Sequence, residues 1–529
     1  MYSSICGCSS TTVTTKPDRE SFFMAKRNGK VYLVGAGPGD PGLLTLRGCE
    51  LLQQADVVFY DYLANPLLLG HTSESAELVC LGRHGRGRVL AQDEINQQVI
   101  AAAQAGQTVV RLKGGDPSIF ARAGEEIAAL EAAAIEYEVV PGVTTALAAS
   151  SYAGVPLTHR DHASCVAIVT GQECRDKDGA SLDLENLANF PGTLVFYMGV
   201  TTAPAWASEL TKHGKPRETP VAIVRHCSLP EQRTLWTTLG ELPEVLAPGK
   251  MRPPAIVIVG DAVSASAAQN WFTMRPLFGQ TVLVTRPAAQ AAALQQQLLQ
   301  QGAHVLLQPA IEINPVEDWT NVDAAIQDLP SFDWLVFSSA NGVSYFLDRL
   351  LDTGGDLRRL AACRLAAIGP ATSQALADYH LRVDLHPEQY RAEALAAALA
   401  GQAAGKKFLL LRASRGREVL AETLTAADAD VHQVVVYESC DVEQPQAEVL
   451  DALAAKEIDW VTVTSSAIAR SLATLFGDSL HQTKLAAISP LTAEVLAAAG
   501  YPAEVVATEY TTNGLVQAIV EAVNQSATV

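Results

Sequence analysis

The order of apolar and polar residues along the chain has the pattern of an α/β protein. Short apolar runs alternate with alanine- and leucine-rich helical stretches from Lys30 to the C-terminus. Such alternation is typical of strands and helices that follow each other in turn. The first run, which begins at Val31, leads through the loop sequence GAGPGDP into a leucine-rich stretch. The pattern therefore predicts sheets with helices packed on them throughout the chain.

The alternation is interrupted at one place, which predicts a domain boundary. The strand-like sequence PPAIVIVG ends at Gly260, a patch of small polar residues follows, and a new strand begins at Thr281. With 529 residues the chain is too long for one ordinary core. We expect the main boundary between Asn270 and Gln280. The expected parts are a disordered tail over 1–26, a first domain over 30–265, a linker over 266–278 and a second domain over 279–525.

The second half of the chain contains an internal repeat. DWLVFSSA at Asp333 matches DWVTVTSS at Asp459, and LAAIGPATSQAL at Leu365 matches LAAISPLTAEVL at Leu485. Two lobes that share one succession of strand, loop and helix are the simplest explanation. Hydroxyl side chains at the predicted helix starts either cap the helices or, if they face one cleft, bind an anionic ligand. These side chains are Ser339, Thr372, Ser465 and Thr492.

Composition and charge narrow the functional classes. The net charge of −19 argues against a nucleic-acid partner, because phosphate contacts need a broad basic face. No apolar run approaches the about 20 residues of a membrane-spanning helix, so we expect no membrane partner. The nine cysteines are scattered and include no C-x-x-C pair, which indicates reduced thiols and a cytoplasmic location. The sequence shows no metal-ligand cluster, and we expect no metal.

Two short basic clusters stand out against the acidic background. One is GRHGRGR over 82–88, and the other is RASRGR over 412–417, directly after the apolar run Phe408 to Leu411. The guanidinium group of arginine suits carboxylates and phosphates. Either cluster alone could be a solvated loop. Two of them, each beside a strand end, favour a small polyanionic ligand over a polymer.

The first glycine loop admits more than one interpretation. A strand followed by G-x-G and a helix begins the Rossmann phosphate loop, but Asp40 stands where that fingerprint has its third glycine. Pro38 and Pro41 also remove N–H donors that phosphate binding would use. Asp61, after the second apolar run, would fit the acid that binds a ribose. NAD binding therefore stays an alternative, as does a turn without a ligand.

Three loops in the first half of the chain combine glycine with proline at predicted strand ends. They are GAGPGDP, VVRLKGGDPSIF and VVPGVTTA. In open α/β sheets such loops can share one crevice. Together with YDYL at Tyr60 and GVPLTHRD at Gly154 they resemble the tetrapyrrole methylase family, and within it the uroporphyrinogen-III C-methyltransferases. The resemblance covers about Lys30 to Val263, and it implies two α/β subdomains with S-adenosylmethionine, not NAD, in the cleft between them.

The same resemblance implies site residues by motif position. Asp61 would be the general base. Arg83 occupies a second catalytic position, where relatives often carry a lysine proposed as proton donor. Because arginine stays protonated, we expect Arg83 to bind a substrate carboxylate. Other candidates for binding substrate carboxylates are Arg122, Thr158, His159 and Arg160. The implied cofactor contacts are Pro38, Gly114, Gly115, Asp116, Ile119, Thr144, Thr145, Met198 and Cys227.

The second half of the chain, from Gly279 to about Ala522, resembles uroporphyrinogen-III synthase. The motifs VTRP, FSSANGV, AIGPAT, YRAEAL, LLLRASRGR and TSSA occur in that order. The resemblance implies two similar α/β lobes joined by a two-stranded linker, lobe 1 from 279–313 and 438–525 and lobe 2 from 314–437. The absence of a nucleophile triad fits an enzyme that mainly orients its substrate. The implied substrate contacts are Arg286, Ser338, Ser339, Thr372, Tyr390, Arg412, Arg415, Thr464 and Ser465.

The two resemblances together imply a bifunctional enzyme. Its second half would cyclise hydroxymethylbilane to uroporphyrinogen III, and its first half would methylate that product twice to precorrin-2, for sirohaem or cobalamin. Linear and cyclic tetrapyrroles are the expected partners, together with a second copy of the chain in a homodimer through the methyltransferase half. A substrate with eight carboxylates would explain both basic clusters. The alternative is a non-catalytic tetrapyrrole-sensing module that regulates the methyltransferase.

Overall fold

The computed structural model of the chain describes residues 28–82, 90–172, 182–247, 250–267, 270–416 and 418–527. The predicted tail over 1–26 and the predicted site residue Arg83 lie outside these residues. The chain divides into two compact units, Met1–Thr273 and Met274–Val529. Within the described ranges, no helix combines the length and the apolar character that a membrane span requires.

The first sheet of the N-terminal unit is parallel throughout and has the order β3-β2-β4-β1-β5. Its strands are β1 (Lys30–Gly35), β2 (Val57–Tyr60), β3 (Glu77–Cys80), β4 (Val109–Lys113) and β5 (Glu136–Val140). A Rossmann sheet has the order 3-2-1-4-5-6, in which the first two strands are neighbours. Here β4 lies between β1 and β2, so the dinucleotide-binding alternative is wrong in its fold.

Helices cover both faces of this sheet. They are α1 (Leu46–Gln54), α2 (Gln92–Gln104), α3 (Ala123–Ala132) and α4 (Thr145–Ala153). Leu33 of β1 belongs to a buried cluster with Val99 of α2 and Leu130 of α3. Val34, the next residue, belongs to a second cluster with Leu51 of α1. Neighbouring residues of β1 thus point to opposite faces, and the five carboxyl strand ends meet at one edge because all strands run in one direction.

The second sheet of the N-terminal unit is mixed and has the order β6-β7-β10-β8-β9. Only β6 and β7 are parallel neighbours, and the other pairs are antiparallel. Trp206 stacks on Phe196 with ring centroids 3.9 Å apart, in a core that this sheet shares with its helices. The strands are β6 (Val166–Thr170), β7 (Thr193–Tyr197), β8 (Pro220–Arg225), β9 (Arg233–Thr238) and β10 (Ala255–Val259). The helices are α5 (Leu184–Ala188), α6 (Ala203–Lys212) and α7 (Leu242–Val245).

The C-terminal unit contains two lobes, each with one five-stranded sheet. The first sheet has the order β12-β11-β18-β19-β20, and the second has the order β13-β17-β16-β14-β15. The first comprises β11 (Thr281–Val284), β12 (His304–Leu307), β18 (Trp460–Val463), β19 (Lys484–Ala487) and β20 (Val505–Val506). The second comprises β13 (Ile311–Pro315), β14 (Trp334–Phe337), β15 (Arg364–Ala367), β16 (Lys407–Ala413) and β17 (Asp430–Asp441). The first lobe is therefore built from both ends of this half of the chain.

The strands that connect the lobes pair with each other. Ile311 at the start of β13 lies opposite Asp441 at the end of β17, in antiparallel register. This is the two-stranded linker that the resemblance implied, and the predicted α/β class with two subdomains followed by two lobes is confirmed. The helices of the first lobe are α8 (Ala288–Gln300), α14 (Ala447–Ala454), α15 (Ser466–Phe476), α16 (Pro490–Ala498) and α17 (Thr512–Ala527). Those of the second lobe are α9 (Thr320–Gln327), α10 (Ala340–Asp352), α11 (Pro370–Asp378), α12 (Ala392–Ala400) and α13 (Val419–Ala426).

The expectation that four hydroxyl side chains cap helices of the repeat holds for two of them. Ser339 and Ser465 are the N-caps of α10 and α15, and each hydroxyl accepts a hydrogen bond from a backbone N–H of the first turn. Thr372 and Thr492 are instead the third residues of α11 and α16, and both are buried. The interpretation is wrong for these two threonines because each helix begins at the preceding proline. In α16 the N-cap is Ser489.

Candidate functional sites

Three loops at the carboxyl edge of the first sheet are in direct backbone contact. Gly37 and Gly115 exchange two N–H···O hydrogen bonds of 2.8 and 3.1 Å. A Cβ atom on Gly142 would lie 2.3 Å from the carbonyl oxygen of Gly115, and one on Gly35 would lie 2.5 Å from the Cα atom of Gly142. Glycine at these positions permits the close approach. The loops that follow β1, β4 and β5 therefore form one surface.

Asp116 connects the second of these loops to the third. Its carboxylate accepts hydrogen bonds from the N–H groups of Gly142 at 2.9 Å and Ser118 at 2.8 Å. The preceding residue, Gly115, has a φ of +69°, and nothing lies within 4 Å of the position where its Cβ would be. Asp116 thus maintains the shape of the loop, while the bare backbone of Gly115 leaves room for a ligand.

Thr144 and Thr145 stand at the start of α4, where Thr144 contacts the second subdomain. The Thr144 hydroxyl lies 2.7 Å from the phenol oxygen of Tyr197 at the end of β7, and that oxygen also accepts from the N–H of Ala146 at 2.6 Å. Burial raises the pKa of Tyr197, so its hydroxyl remains protonated and can donate to Thr144. The contact connects the third loop to the second sheet.

The predicted cofactor contacts of the second subdomain lie on strained turns. Met198, directly after β7, is half exposed and has a φ of +51°. Cys227, after β8, is buried between His226 and Ser228, whose φ values are +49° and +62°. Such conformations of residues other than glycine cost about 1 kcal/mol or more, and they concentrate at ligand-binding turns. Burial raises the pKa of the Cys227 thiol to about 12.

Asp40, the residue that departs from the Rossmann fingerprint, joins the two subdomains. Its N–H donates to the hydroxyl of Ser228 at 3.0 Å, and its carboxylate accepts from the phenol of Tyr152 at 2.8 Å. Next to it, a Cβ atom on Gly39 would lie 2.7 Å from Leu229 Cγ. The turn around Cys227 therefore lies against the first glycine loop. Sequence reasoning missed this link, since Ser228 is 188 residues from Asp40.

Asp61 follows β2 and is held by the neighbouring strand. Its carboxylate lies 2.6 Å from the Arg111 guanidinium and accepts from the N–H of Gly114 at 3.3 Å. Its own N–H donates to the carbonyl of Leu112 at 3.0 Å. A third of the Asp61 side chain is exposed, whereas only 4% of the Arg111 side chain is. The structure thus presents one oriented carboxylate beside the glycine loops.

A buried charged cluster lies behind Asp61. Lys113 Nζ is 2.7 Å from Glu126 Oε1, and Arg111 Nε is 3.2 Å from the same oxygen. Gln92 on α2 donates to that oxygen as well, at 3.1 Å. Sequence reasoning missed the cluster. Its only signal was the pair of cations two residues apart in VVRLK, a strand whose five residues are all buried.

The other predicted substrate residues of this unit lie in two places. Arg122 stands at the N-cap of α3 with a φ of +57°, and its guanidinium makes two hydrogen bonds of 2.8 and 2.5 Å to Glu125. Thr158, His159 and Arg160 lie in the turn that precedes β6. The His159 ring centroid lies 4.7 Å from that of His162. Arg122 is therefore already paired with a carboxylate in this structure.

Two predicted arginines occupy equivalent positions in the lobes of the C-terminal unit. Arg286 lies four residues after Val282 of β11, which pairs with Trp460. Arg412 lies four residues after Phe408 of β16, which pairs with Trp334, the equivalent tryptophan of the repeat. Arg412 is 2.5 Å from the carboxylate of Glu418 and 2.7 Å from the amide oxygen of Gln433. Among the described residues, the polar contact of the Arg286 guanidinium is Gln290 Oε1 at 3.4 Å. Burial lowers the pKa of Arg286, because desolvation disfavours its charge.

The start of α10 is connected to the linker and to the other lobe. Ser338 donates to a carbonyl at the end of β16 at 3.1 Å, and the Ser339 hydroxyl lies 3.0 Å from that of Tyr437 on β17. Gln290 on α8 donates to the side chain of Asn341 on α10 at 2.7 Å, which joins the first lobe to the second. Sequence reasoning did not select Gln290, Asn341 or Tyr437, since each shows its role only through a partner elsewhere in the chain.

Arg415 forms an ion pair with Asp441 at the point where the linker returns to the first lobe. Its guanidinium lies 2.6 Å from the carboxylate of Asp441, the last residue of β17. Ser471 on α15 donates to the same carboxylate. These two contacts, Arg415 first, lower the pKa of Asp441. Asp441 thus connects a loop of the second lobe to a helix of the first.

The remaining predicted contacts are divided between the lobes. Tyr390 is half exposed and lies against Gly369, where a Cβ atom would be 3.0 Å from the Tyr390 Cβ. Gly369 is the N-cap of α11, the helix that contains Thr372. Thr464 and Ser465 directly precede α15. In the described parts of the chain, no group of three or more His, Cys, Asp or Glu side chains could hold a metal ion.

The fold and these sites define a two-unit α/β protein, with three glycine loops in contact beside an oriented carboxylate in the first unit and a pair of repeated lobes in the second. The family model for tetrapyrrole (corrin/porphyrin) methylases matches residues 30–243. The family model for uroporphyrinogen-III synthase HemD matches residues 292–517. The chain belongs to the tetrapyrrole methylases in its N-terminal part and to the HemD-type uroporphyrinogen-III synthases in its C-terminal part.

Named relatives agree with both assignments. The porphyrin biosynthesis protein HemD of Ruminiclostridium josui is 35% identical over 440 residues, which are 83% of this chain and 87% of that protein. The uroporphyrinogen-III C-methyltransferase of Bacillus subtilis is 38% identical over 66% of this chain and 72% of its own length. The S-adenosyl-L-methionine-dependent uroporphyrinogen III methyltransferase of Methanosarcina barkeri is 45% identical over 45% of this chain and 94% of its own length. The two resemblances seen in the sequence, and the enzyme class they implied, are confirmed.

Proposed function

We propose that the protein carries out two consecutive reactions. The C-terminal unit cyclises hydroxymethylbilane to uroporphyrinogen III, and the N-terminal unit methylates that product twice to precorrin-2, for sirohaem or cobalamin. The supporting observation is that one chain carries both a methylase and a synthase unit, and that uroporphyrinogen III is the product of one reaction and the substrate of the other. The homodimer through the methyltransferase unit and the cytoplasmic location belong to this proposal and rest on the sequence alone.

The surface formed by the three glycine loops suits S-adenosylmethionine. The relative from Methanosarcina barkeri is named for its dependence on this cofactor. The open side of Gly115 leaves backbone available to an extended ligand, and the positive end of the α4 dipole at Thr144 favours a carboxylate nearby. The carboxylate of Asp116 is held by two backbone N–H groups, which keep the second and third loops together. S-adenosylmethionine supplies a methyl group that is bound to a positively charged sulfur. When the new carbon–carbon bond forms, the methyl–sulfur bond breaks and the remainder of the cofactor leaves as a neutral thioether.

Asp61 is the proton acceptor in this proposal. The pyrrole that gains a methyl group must lose a proton, and Asp61 is a partly exposed carboxylate at the edge where the glycine loops meet. Arg111 and the N–H of Gly114 fix its orientation. Since methyl transfer from a sulfonium neutralises charge, the chief demand on the protein is alignment of the two reactants. The contacts among the three loops keep that edge rigid.

The C-terminal unit acts chiefly by orientation. Arg286 and the helix starts at Ser339 and Ser465 offer a cation and backbone N–H groups to the carboxylates of a linear tetrapyrrole. Ring closure with one ring inverted requires that the two ends of the substrate be held in a defined arrangement. Two lobes that each offer an anion-binding helix start can supply that arrangement.

One assay tests the proposal. The protein is given hydroxymethylbilane, with or without S-adenosylmethionine, and the products are separated by isomer and by the number of added methyl groups. We expect uroporphyrinogen III without the cofactor and a dimethylated product with it. An enzyme-free control measures spontaneous closure, which gives the isomer without ring inversion. If only that isomer forms while added uroporphyrinogen III is still methylated, the C-terminal unit is a sensing module and not a synthase.

A further inference from the structure

Three charged side chains behind Asp61 are almost completely shielded from solvent. Arg111, Lys113 and Glu126 are 3%, 1% and 5% exposed. Burying a charge is costly unless it is paired and hydrogen-bonded. Arg111 and Lys113 lie two residues apart on β4, so their side chains leave the same face of the sheet, where Glu126 of α3 receives both. An apolar core would have sufficed to pack α3 on this sheet, so the cost of these charges requires another explanation.

The charges of the cluster balance only when Asp61 is included. Arg111 and Lys113 contribute two positive charges, and Asp61 and Glu126 contribute two negative ones. Arg111 is shared between the two carboxylates, at 2.6 Å from Asp61 and 3.2 Å from Glu126, whereas Lys113 contacts Glu126 at 2.7 Å. Lys113 therefore compensates Glu126 and leaves the charge of Arg111 to Asp61. Burial, followed by the charge of Arg111, lowers the pKa of Lys113, and Glu126 acts in the opposite direction.

We propose that Lys113 and Glu126 are positioning residues for methyl transfer, which act through Arg111 to set the orientation and the charge of the Asp61 carboxylate. The Glu126 carboxylate receives Arg111 Nε, so that the outer nitrogen of the guanidinium is directed to Asp61. Gln92 holds the same Glu126 oxygen from α2. The inference rests on the proposed role of Asp61 as proton acceptor.

The other charged groups that the structure describes near the cluster are exposed to solvent. The pair Arg122 and Glu125 on α3 and the carboxylate of Asp93 on α2 act on members of the cluster or on each other by charge. Arg122 and Glu125 are 55% and 54% exposed, and Asp93 is exposed as well. Solvent and salt screen their charges. Among the described residues, Arg111, Lys113 and Glu126 are therefore the buried charges that control Asp61.

The test measures methyltransferase kcat against pH for Lys113→Met in the full-length protein. Without Lys113, Arg111 is the one buried cation of the cluster that faces both carboxylates, so the site behind Asp61 loses one positive charge. We expect the acid limb of the kcat profile to move upward by about one pH unit. The KM for uroporphyrinogen III and the calorimetric affinity for S-adenosylhomocysteine should change little, because the substituted side chain lies behind the site.

The double substitution Lys113→Met with Glu126→Gln checks that charge is the cause. It removes one positive and one negative charge, so the acid limb should return to the wild-type position. Replacement of a buried ion pair by neutral groups is often tolerated, whereas removal of one partner is strongly destabilising. If Lys113→Met alone does not fold, Glu126→Gln replaces it, and its acid limb should move to lower pH because Arg111 then pairs with Asp61 alone.

Lys215 offers a matched control in the second subdomain. It is a buried lysine whose ammonium donates to the carbonyls of Ala188 and Phe190, each at 3.3 Å. Lys215→Met should lower the melting temperature without moving the kcat profile. A profile for Lys113→Met that coincides with the wild type, or a shift equal to that of Lys215→Met, would overturn the inference. An active Asp61→Asn protein would instead refute the proposed role of Asp61.

Discussion

Arg286 and Arg412 stand at equivalent positions in the two lobes of the C-terminal unit, but their guanidinium groups have different partners. Arg412 is paired with Glu418 at 2.5 Å, whereas Arg286 contacts the neutral Gln290 among the residues that the structure describes. A half-buried cation without a carboxylate partner is available to an anionic ligand, and a paired one is not. The repeat therefore contains two similar arginines with different expected roles.

The pair supplies a matched test of substrate binding. Arg286→Gln should raise the KM for hydroxymethylbilane roughly 10- to 100-fold, which corresponds to the about 1.5–3 kcal/mol of a hydrogen bond to a charged group. Arg412→Gln should change KM much less and should instead lower the melting temperature, because it removes the ion pair with Glu418 and the hydrogen bond to the carbonyl of Gly416. Steady-state synthase kinetics and thermal denaturation measure both effects. An equal rise in KM for the two variants would contradict the distinction and would favour direct binding by Arg412.

The contact between glycine loops predicts a steric effect on the methylase site. A Cβ atom at Gly142 would lie 2.3 Å from the carbonyl oxygen of Gly115, so Gly142→Ala should separate the loops. We expect a loss of about 2–3 kcal/mol in the free energy of unfolding and much weaker binding of S-adenosylhomocysteine by calorimetry. Gly124→Ala in α3 is the control, since nothing lies within 4 Å of its Cβ position. That variant should keep binding and gain up to about 1 kcal/mol of stability.

The buried thiol of Cys227 predicts selective alkylation. Because burial raises the pKa of Cys227 to about 12, only about one molecule in ten thousand carries its reactive thiolate at pH 8. Cys80 is exposed. Iodoacetamide at pH 8 should label Cys80 in the folded protein and Cys227 only after unfolding, as peptide mass spectrometry would show. Labelling of both at similar rates would mean that the turn after β8 opens readily.

The division at Thr273 and Met274 predicts that the two units can be separated. Each unit has buried apolar clusters of its own, which is the requirement for independent folding. Residues 1–273 should methylate added uroporphyrinogen III, and residues 274–529 should convert hydroxymethylbilane to uroporphyrinogen III. Circular dichroism and the two separate assays check this. Aggregation of either piece at low concentration, while the full chain stays folded, would place the boundary elsewhere.

Several features of the methylase site could be predicted because their cause is local. The strand ends at Gly35 and at Lys113 follow from apolar runs, and the glycines mark where loops begin. The Rossmann alternative for the first loop was wrong because the order of strands in the sheet cannot be inferred from one loop. The pairing of Asp61 with Arg111 depends on β2 and β4 being neighbours, although 50 residues of sequence separate the two side chains.

The α/β class, the two families and the internal repeat of this protein could all be derived from its amino-acid sequence. Apolar spacing, glycine positions and motif order can be read directly from the chain, because each depends on residues that are close in sequence. The tertiary structure decided the partners of the polar groups: Asp40 with Ser228, Lys113 with Glu126, and Arg412 with Glu418. A buried charge or hydroxyl must find a partner in space. Which partner it finds depends on how strands and helices pack. The equivalent arginines Arg286 and Arg412 therefore have different partners.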